Sequence, residues 1–173
     1  MFQRNLKNFS LNNVSFDIQE YNITGFVGKN GAGKSTLIKI LLGLLKADKG
    51  EIIFFSNKYN GNHSLIKNKI GFVLDEGFFY ESLTLNEKFN LNPKQEISAL
   101  SKGMKLKYSL ALALSHDVDF LIMDEPTSGL DPEIRKELMN ILNEFIQEAE
   151  KSVFICSFNI HHKIGVNFPK LNH

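Results

Sequence analysis

Cysteine, tryptophan and long apolar runs are scarce or absent in this chain of 173 residues. Its single cysteine, Cys156, cannot form an internal disulfide and lies in an apolar run, as a small buried side chain would, so we assign it no chemical role. The longest apolar stretch, residues 37–45, is interrupted by Lys39 and is far shorter than the ~20 residues that a membrane-spanning helix requires. We therefore expect no transmembrane helix.

The chain also lacks an excess of charge of either sign. Twenty basic and nineteen acidic residues leave a formal net charge of +1, which argues against global attraction to nucleic acid or to an anionic membrane. The first ten residues contain no apolar segment followed by a cleavage site, so no secretory signal is expected. We predict a cytoplasmic protein that forms a single domain over residues 1–173 and does not bind nucleic acid.

Short apolar runs alternate with helical patterns along the chain. Strands buried on both faces are predicted by five runs, at residues 23–27, 52–55, 70–74, 120–123 and 153–156. Helices are predicted over residues 34–45, 102–115 and 133–148. Strands that alternate with helices indicate an α/β fold, with a mainly parallel sheet flanked by helices.

Three further features complete the predicted fold. Alternating polar and apolar residues favour an antiparallel hairpin over residues 14–27, at the N-terminal edge of the sheet. Asp131 and Pro132 suit the N-cap and the first turn of the last helix. The polar segment at residues 57–69 is interpreted as a surface connection.

The strongest motif follows the predicted strand at residues 23–27. Residues 28–36 read GKNGAGKST, which matches the phosphate-binding pattern G-x-x-x-x-G-K-[S/T] between a strand and a helix. The glycines let successive backbone N–H groups point inward, and the helix N-terminus adds a positive dipole end. Lys34 would reach the β and γ phosphates, and Ser35 would bind Mg²⁺. The predicted nucleotide contacts are Gly28, Asn30, Gly31, Ala32, Gly33, Lys34, Ser35 and Thr36.

A second predicted strand ends in two carboxylates, Asp124 and Glu125. The carboxyl end of a parallel strand lies beside the phosphate loop, so Asp124 is expected to hold Mg²⁺ through water. Glu125 is expected to orient the attacking water for in-line attack on the γ phosphate. The alternative is that both carboxylates merely solvate the end of a strand.

Two further segments extend these motifs into a family pattern. Residues 100–104 read LSKGM, which is similar to the signature L-S-G-G-Q, and residues 128–131 read SGLD, which is similar to a D-loop. Over roughly residues 11–157 the chain resembles the nucleotide-binding subunits of ATP-binding cassette (ABC) transporters, with a signature variant similar to that of exporter-type cassettes.

The resemblance implies a P-loop NTPase that binds ATP and Mg²⁺ and hydrolyses ATP. It implies that ATP-driven dimerisation is coupled to a membrane permease, which would hold the chain at the inner face of the cell membrane. In the implied head-to-tail dimer, Ser101 and Gly103 of one subunit contact the γ phosphate that Lys34 of the other subunit binds, and Asp131 belongs to the same nucleotide site. Taken alone, Ser101 has the alternative interpretation of a helix N-cap.

The chain departs from the family pattern at two predicted site positions. Asp75 stands where the family has a glutamine, and an aspartate there would still touch a metal-bound water. Phe158 stands where the family has a switch histidine that contacts the γ phosphate. Because a phenylalanine side chain cannot form a hydrogen bond to a phosphate, we expect slow hydrolysis.

The helical subdomain of the family is shortened here to about residues 76–115, and residues 158–173 form an atypical tail. A shorter subdomain predicts a shallow docking groove, weak binding to a permease and poor dimerisation. A truncated or degenerate cassette that binds ATP with little or no turnover is the alternative function. A cassette protein that acts on DNA or ribosomes would show a second cassette, a coiled-coil insertion or a basic linker, and the sequence contains none of these.

Overall fold

The computed structural model describes residues 2–6, 9–61, 63–74, 100–147 and 151–157. Within these residues, strands and helices follow one another in the order β1 (Phe2–Leu6), β2 (Phe9–Val14), β3 (Ile23–Val27), α1 (Lys34–Leu41), β4 (Ile52–Phe54), β5 (Asn57–Tyr59), α2 (Ser64–Lys67), β6 (Ile70–Val73), α3 (Lys102–Ala113), β7 (Phe120–Asp124), α4 (Pro132–Gln147) and β8 (Ser152–Ser157). None of the helices in this part of the chain has the length and apolarity needed to cross a membrane.

A four-stranded parallel sheet with the strand order β3-β8-β7-β6 forms the centre of the described structure. β8 lies between β3 and β7, so that Ser157 is the partner of Val27 and Cys156 is the partner of Asp124. Because the strands are parallel, their carboxyl ends meet at one edge of the sheet. The predicted α/β fold with a mainly parallel sheet is confirmed.

Alternate side chains of the central strands enter two separate cores. From β7, Leu121 and Met123 pack with residues of α3 and α4, whereas Phe120 and Ile122 pack with residues of α1. Every residue of β7 is buried. Since side chains alternate along a strand, a continuous apolar run is what a strand covered on both faces requires.

The helices differ little from the predicted ones. α3 and α4 agree with the predicted ranges to within two residues at each end, and the backbone N–H of Ile134 donates to Oδ1 of Asp131 at 2.9 Å, which confirms the predicted N-cap. α1 is shorter than the predicted residues 34–45. It ends at Leu41 because Gly43 adopts a left-handed conformation, with φ of 71°.

The predicted antiparallel hairpin at the N-terminal edge is confirmed, but its residues differ from the predicted 14–27, and it forms a separate two-stranded sheet. β2 pairs antiparallel with β1 to form the N-terminal hairpin, and β3 pairs parallel with β8. Phe16 lies beyond the end of β2, where its ring stacks on that of Phe154 with centroids 5.6 Å apart. Phe16 therefore reaches the core from a connecting segment, and its place in an alternating pattern does not require a strand.

The prediction of a strand buried on both faces at residues 52–55 is also wrong. β4 pairs with β5 in a two-stranded antiparallel hairpin, and the side chain of Ile53 is 57% exposed. Phe55 and Ser56 form the turn with positive φ angles of 50° and 61°, the combination of a type I′ turn. Residues 57–69, predicted as a surface connection, accordingly contain β5 and α2. Sequence reasoning missed this hairpin because such turns usually carry asparagine and glycine.

We expect Leu142→Ala to lower the free energy of unfolding by about 2–5 kcal/mol, because Leu142 is completely buried between α4 and the sheet and its truncation leaves a cavity. Leu65→Ala is the matched control, since Leu65 on α2 is 70% exposed and should change stability by no more than about 0.5 kcal/mol. Urea unfolding followed by circular dichroism measures both variants. Equal losses would contradict the position of Leu142 in the core.

Candidate functional site

The phosphate-loop motif lies between β3 and α1, as its pattern predicts. Gly31 and Gly33 have φ angles of 82° and 96°, which residues with a Cβ adopt only under strain, and Gly33 is the N-cap of α1. No side chain caps this helix start. The N–H groups in the first turn of α1 are therefore positioned to bind an anion.

Lys34 is the first residue of α1 and its side chain is 6% exposed. Its Nζ atom lies 2.7 Å from the carbonyl oxygen of Gly28, 3.3 Å from that of Lys29 and 3.2 Å from Oε1 of Glu125. The ammonium group thus donates hydrogen bonds to two carbonyl oxygens and forms an ion pair with the Glu125 carboxylate. A bound polyphosphate would compete with Glu125 for the charge of Lys34.

Asp124 and Glu125 stand at the carboxyl end of β7, where the sequence predicts them. Asp124 is 6% exposed and ends the strand. Glu125 has a φ of 47°, which costs a non-glycine residue about 1–3 kcal/mol. Its N–H donates to the carbonyl oxygen of Cys156 at 2.9 Å, and its own carbonyl oxygen accepts from the N–H of Ser128 at 3.0 Å. These bonds fix the strained turn that brings the Glu125 carboxylate beside Lys34.

Ser157 is the residue of this site that sequence reasoning missed. It ends β8, it is buried, and its hydroxyl group donates to Oε2 of Glu125 at 3.3 Å. Its carbonyl oxygen accepts from the N–H of Gly28 at 3.3 Å. Gly28, Lys34, Glu125 and Ser157 thus contact one another in a closed circle, which we call the phosphate-loop ring. In the sequence, only the position of Ser157 at the end of an apolar strand pointed to it.

The pKa of the buried Cys156 thiol is affected by the charged groups of the site. Burial raises the pKa of Cys156, the negative charges of Asp124 and Glu125 raise it as well, and the positive charge of Lys34 acts in the opposite direction. Asp124 is also the partner of Cys156 in the parallel ladder between β7 and β8. A thiol with a raised pKa stays protonated and is unreactive, which agrees with the prediction that Cys156 is a small buried side chain without a chemical role.

The signature-like and D-loop-like segments meet at the starts of α3 and α4. The hydroxyl group of Ser101 accepts a hydrogen bond from the N–H of Met104 at 3.2 Å, so it caps α3. A Cβ atom at Gly103 would lie 3.3 Å from the side chain of Ile134, in the first turn of α4 that Asp131 caps. The N-cap interpretation of Ser101 is confirmed, and its contact with a γ phosphate stays a prediction.

Two predicted site positions, Asp75 and Phe158, lie outside the described residues, as does the tail at residues 158–173. Of the shortened helical subdomain, the structure describes the part from residue 100 onward, which includes α3.

The predicted magnesium ligands Ser35 and Asp124 fit the metal in their chemistry. Both offer oxygen atoms, which Mg²⁺ prefers, and Mg²⁺ is usually held by one or two carboxylates together with water and substrate phosphates. In the described part of the chain, no three side chains of histidine, cysteine, aspartate or glutamate come together to form a dedicated metal cage.

The family model for ABC transporters matches residues 11–128, more than half of the chain. The bacitracin transport ATP-binding protein BcrA of Bacillus licheniformis is 32% identical over 172 residues, which cover 86% of this chain and 56% of that relative. The zinc import ATP-binding protein ZnuC of Rickettsia conorii is 32% identical over 163 residues, which cover 87% of this chain and 70% of that relative. The chain therefore spans little more than half the length of BcrA.

A dimeric structure of the ATP-binding cassette MJ0796, in a post-hydrolysis state bound to ADP and Pi, shares the fold with a TM-score of 0.77 and 22% identity, over 91% of this chain and 85% of that chain. The structure of cbiO1 from Clostridium perfringens, part of the ABC transporter complex cbiONQ, gives a TM-score of 0.74 and 24% identity, over 91% and 76% of the two chains. The family match, the curated relatives and the shared fold confirm the resemblance that the motifs predict: this chain belongs to the ABC transporter family, as an ATP-binding cassette.

Proposed function

We propose that this chain binds and hydrolyses ATP as the energy-supplying subunit of an ABC transporter. The observation that carries the proposal is the phosphate-loop ring, in which a buried lysine at a helix start faces a carboxylate held at the end of the neighbouring strand. A cation beside an uncapped helix N-terminus suits a polyphosphate, and an adjacent carboxylate suits the activation of water. The ring contains both.

Nucleotide binding begins with an exchange of partners at Lys34. In the structure, this lysine contacts the carbonyl oxygens of Gly28 and Lys29 and the Glu125 carboxylate. A triphosphate carries more negative charge than one carboxylate, so Lys34 moves from Glu125 to the β and γ phosphates. Backbone N–H groups at the start of α1 bind the remaining phosphate oxygens.

Hydrolysis then depends on the freed Glu125 carboxylate. Placed beside the γ phosphate, it accepts a hydrogen bond from a water molecule and orients it for in-line attack, which is mainly a positioning role. Ser35 and Asp124, together with Asp75, would hold Mg²⁺, which neutralises charge on the β and γ phosphates when it is bound.

The partner of such a subunit is a membrane permease, and we propose that this chain docks on one at the inner face of the cell membrane. Two relatives carry names that refer to bacitracin transport and zinc import, and the solved MJ0796 cassette is dimeric. In a head-to-tail dimer of this chain, the starts of α3 and α4 would bring Ser101, Gly103 and Asp131 to the nucleotide of the other copy.

A second candidate function is a cassette that binds ATP with little or no turnover. Phe158 favours it, because this residue replaces a histidine that would contact the γ phosphate. The retention of Glu125 inside an intact ring favours hydrolysis instead. The measured rate of phosphate release separates the two.

Lys34→Ala should weaken ATP binding by about 100-fold or more, since it removes a charge-assisted contact to the phosphates. Isothermal titration calorimetry with Mg-ATP measures the affinity. Lys39→Ala is the matched control, because Lys39 is exposed on the same helix and should leave the affinity unchanged. Unchanged binding by Lys34→Ala would overturn the proposed ATP site.

Glu125→Gln should reduce phosphate release by at least about 100-fold, the usual contribution of a group that activates a nucleophile. The same change should tighten ATP binding by roughly three- to tenfold, because a neutral amide no longer competes as an ion pair for Lys34. Calorimetry and a phosphate-release assay report the two effects separately. Weaker ATP binding by this variant would contradict the proposed exchange at Lys34.

Saturating ATP should convert part of the Glu125→Gln protein to a dimer, while the nucleotide-free protein stays monomeric. Light scattering after size-exclusion chromatography measures the fraction. Adding Lys34→Ala to this variant should abolish the shift, because the dimer needs the bound nucleotide. A population that remains monomeric at saturating ATP would contradict the head-to-tail dimer.

A further inference from the structure

We propose that Ser157 is a positioning residue that holds the Glu125 carboxylate in place after the phosphates have taken Lys34. The inference rests on the proposed ATP hydrolysis and assigns a role to a residue that no sequence motif singles out. Its basis is the phosphate-loop ring, in which the two oxygens of one carboxylate have different partners. Oε1 faces Lys34 at 3.2 Å, and Oε2 accepts from the Ser157 hydroxyl at 3.3 Å.

The two partners respond differently to a nucleotide. Lys34 carries a full charge, and the stronger charge of a polyphosphate attracts it away from Glu125. The hydroxyl of Ser157 is neutral, so the same field attracts it far less. Glu125 therefore loses the contact at Oε1 and keeps the contact at Oε2.

The carboxylate needs such a contact most when ATP is bound. Glu125 and the γ phosphate repel each other because both are negative, and this repulsion favours rotation of the carboxylate away from the attacking water. A hydrogen bond to an ionised acceptor is stronger than one between neutral groups, so a single hydroxyl can oppose the rotation.

The backbone of Ser157 is fixed against β3 and the phosphate loop, which makes its hydroxyl a rigid anchor. β8 lies between β3 and β7, and Ser157 pairs with Val27 in the parallel ladder. The Ser157 carbonyl also accepts from the N–H of Gly28 at 3.3 Å, and the residue is 4% exposed. The residue that holds Glu125 is thus bonded directly to the first residue of the phosphate loop, so the carboxylate keeps a defined place relative to the phosphates.

A serine that only stabilises the strand would not change the kinetics of hydrolysis when it is replaced by alanine. At the other end of β8, the hydroxyl oxygen of Ser152 accepts a hydrogen bond from the N–H of Tyr21 at 2.9 Å. Ser152→Ala is the matched control, because it removes a comparable bond from the same strand at the opposite edge of the sheet. If the role of Ser157 is only to stabilise the strand, the two alanine variants should have similar kinetics.

The test compares the wild-type chain with Ser157→Ala, Ser157→Thr and Ser152→Ala in steady-state hydrolysis of Mg-ATP. Ser157→Ala should lower kcat by roughly tenfold, because the carboxylate is misplaced, while KM stays within about twofold. Ser157→Thr retains the hydroxyl and suits a strand, so it should recover most of the lost kcat. Ser152→Ala should leave kcat and KM unchanged, and urea unfolding verifies that each variant is folded.

The other possible results contradict either the positioning role of Ser157 or the proposed function. Equal kcat for Ser157→Ala and the wild type overturns the positioning role, as does an equal loss of kcat in Ser152→Ala. A wild type that binds ATP but releases no phosphate within a day also overturns it, because there is then no catalytic carboxylate to position. A wild type that does not bind ATP contradicts the proposed function itself.

Discussion

The position of β8 between β3 and β7 is the constraint on which the site depends. β3 leads into the phosphate loop and β7 ends in the two carboxylates, but these strands are not neighbours in the sheet. β8 separates them by one strand width and fills the gap at its carboxyl end with Ser157, which bonds to Gly28 on one side and to Glu125 on the other. Without this strand, the loop and the carboxylate would have no common support.

The charge on Lys34 is the most demanding feature of the site. A buried ammonium without partners would cost several kcal/mol, and the carbonyl oxygens of Gly28 and Lys29 together with the Glu125 carboxylate offset that cost. The exposed ion pair between Lys58 and Glu51, with 80% and 58% of the side chains in contact with solvent, contributes little by comparison. The Lys34 ammonium, which we propose binds phosphate, therefore already has oxygen partners when no nucleotide is bound.

The phosphate loop is attached to one of the two cores beside the sheet, and the signature-like and D-loop-like segments are attached to the other. α1, which carries the phosphate loop, packs in one core, whereas α3 and α4 pack together in the other. The starts of α3 and α4 meet where Gly103 approaches Ile134, and a side chain at residue 103 would press into that contact. The phosphate-loop segment and the segments that resemble a dimer interface are thus attached to opposite faces of one sheet, so each can keep its own packing.

The sequence by itself determined the features that depend on a few adjacent residues. The phosphate loop, the carboxylates Asp124 and Glu125, the Asp131 N-cap and the buried central strands all follow from local patterns, because backbone conformation and side-chain alternation are local properties. Only the tertiary structure decided which strands are neighbours, since pairing joins residues far apart in the chain. The N-terminal hairpin was assigned to the wrong residues, 14–27, for that reason. The contact between Ser157 and Glu125 could not be predicted either, because the two residues are 32 positions apart in sequence and meet only in the folded sheet.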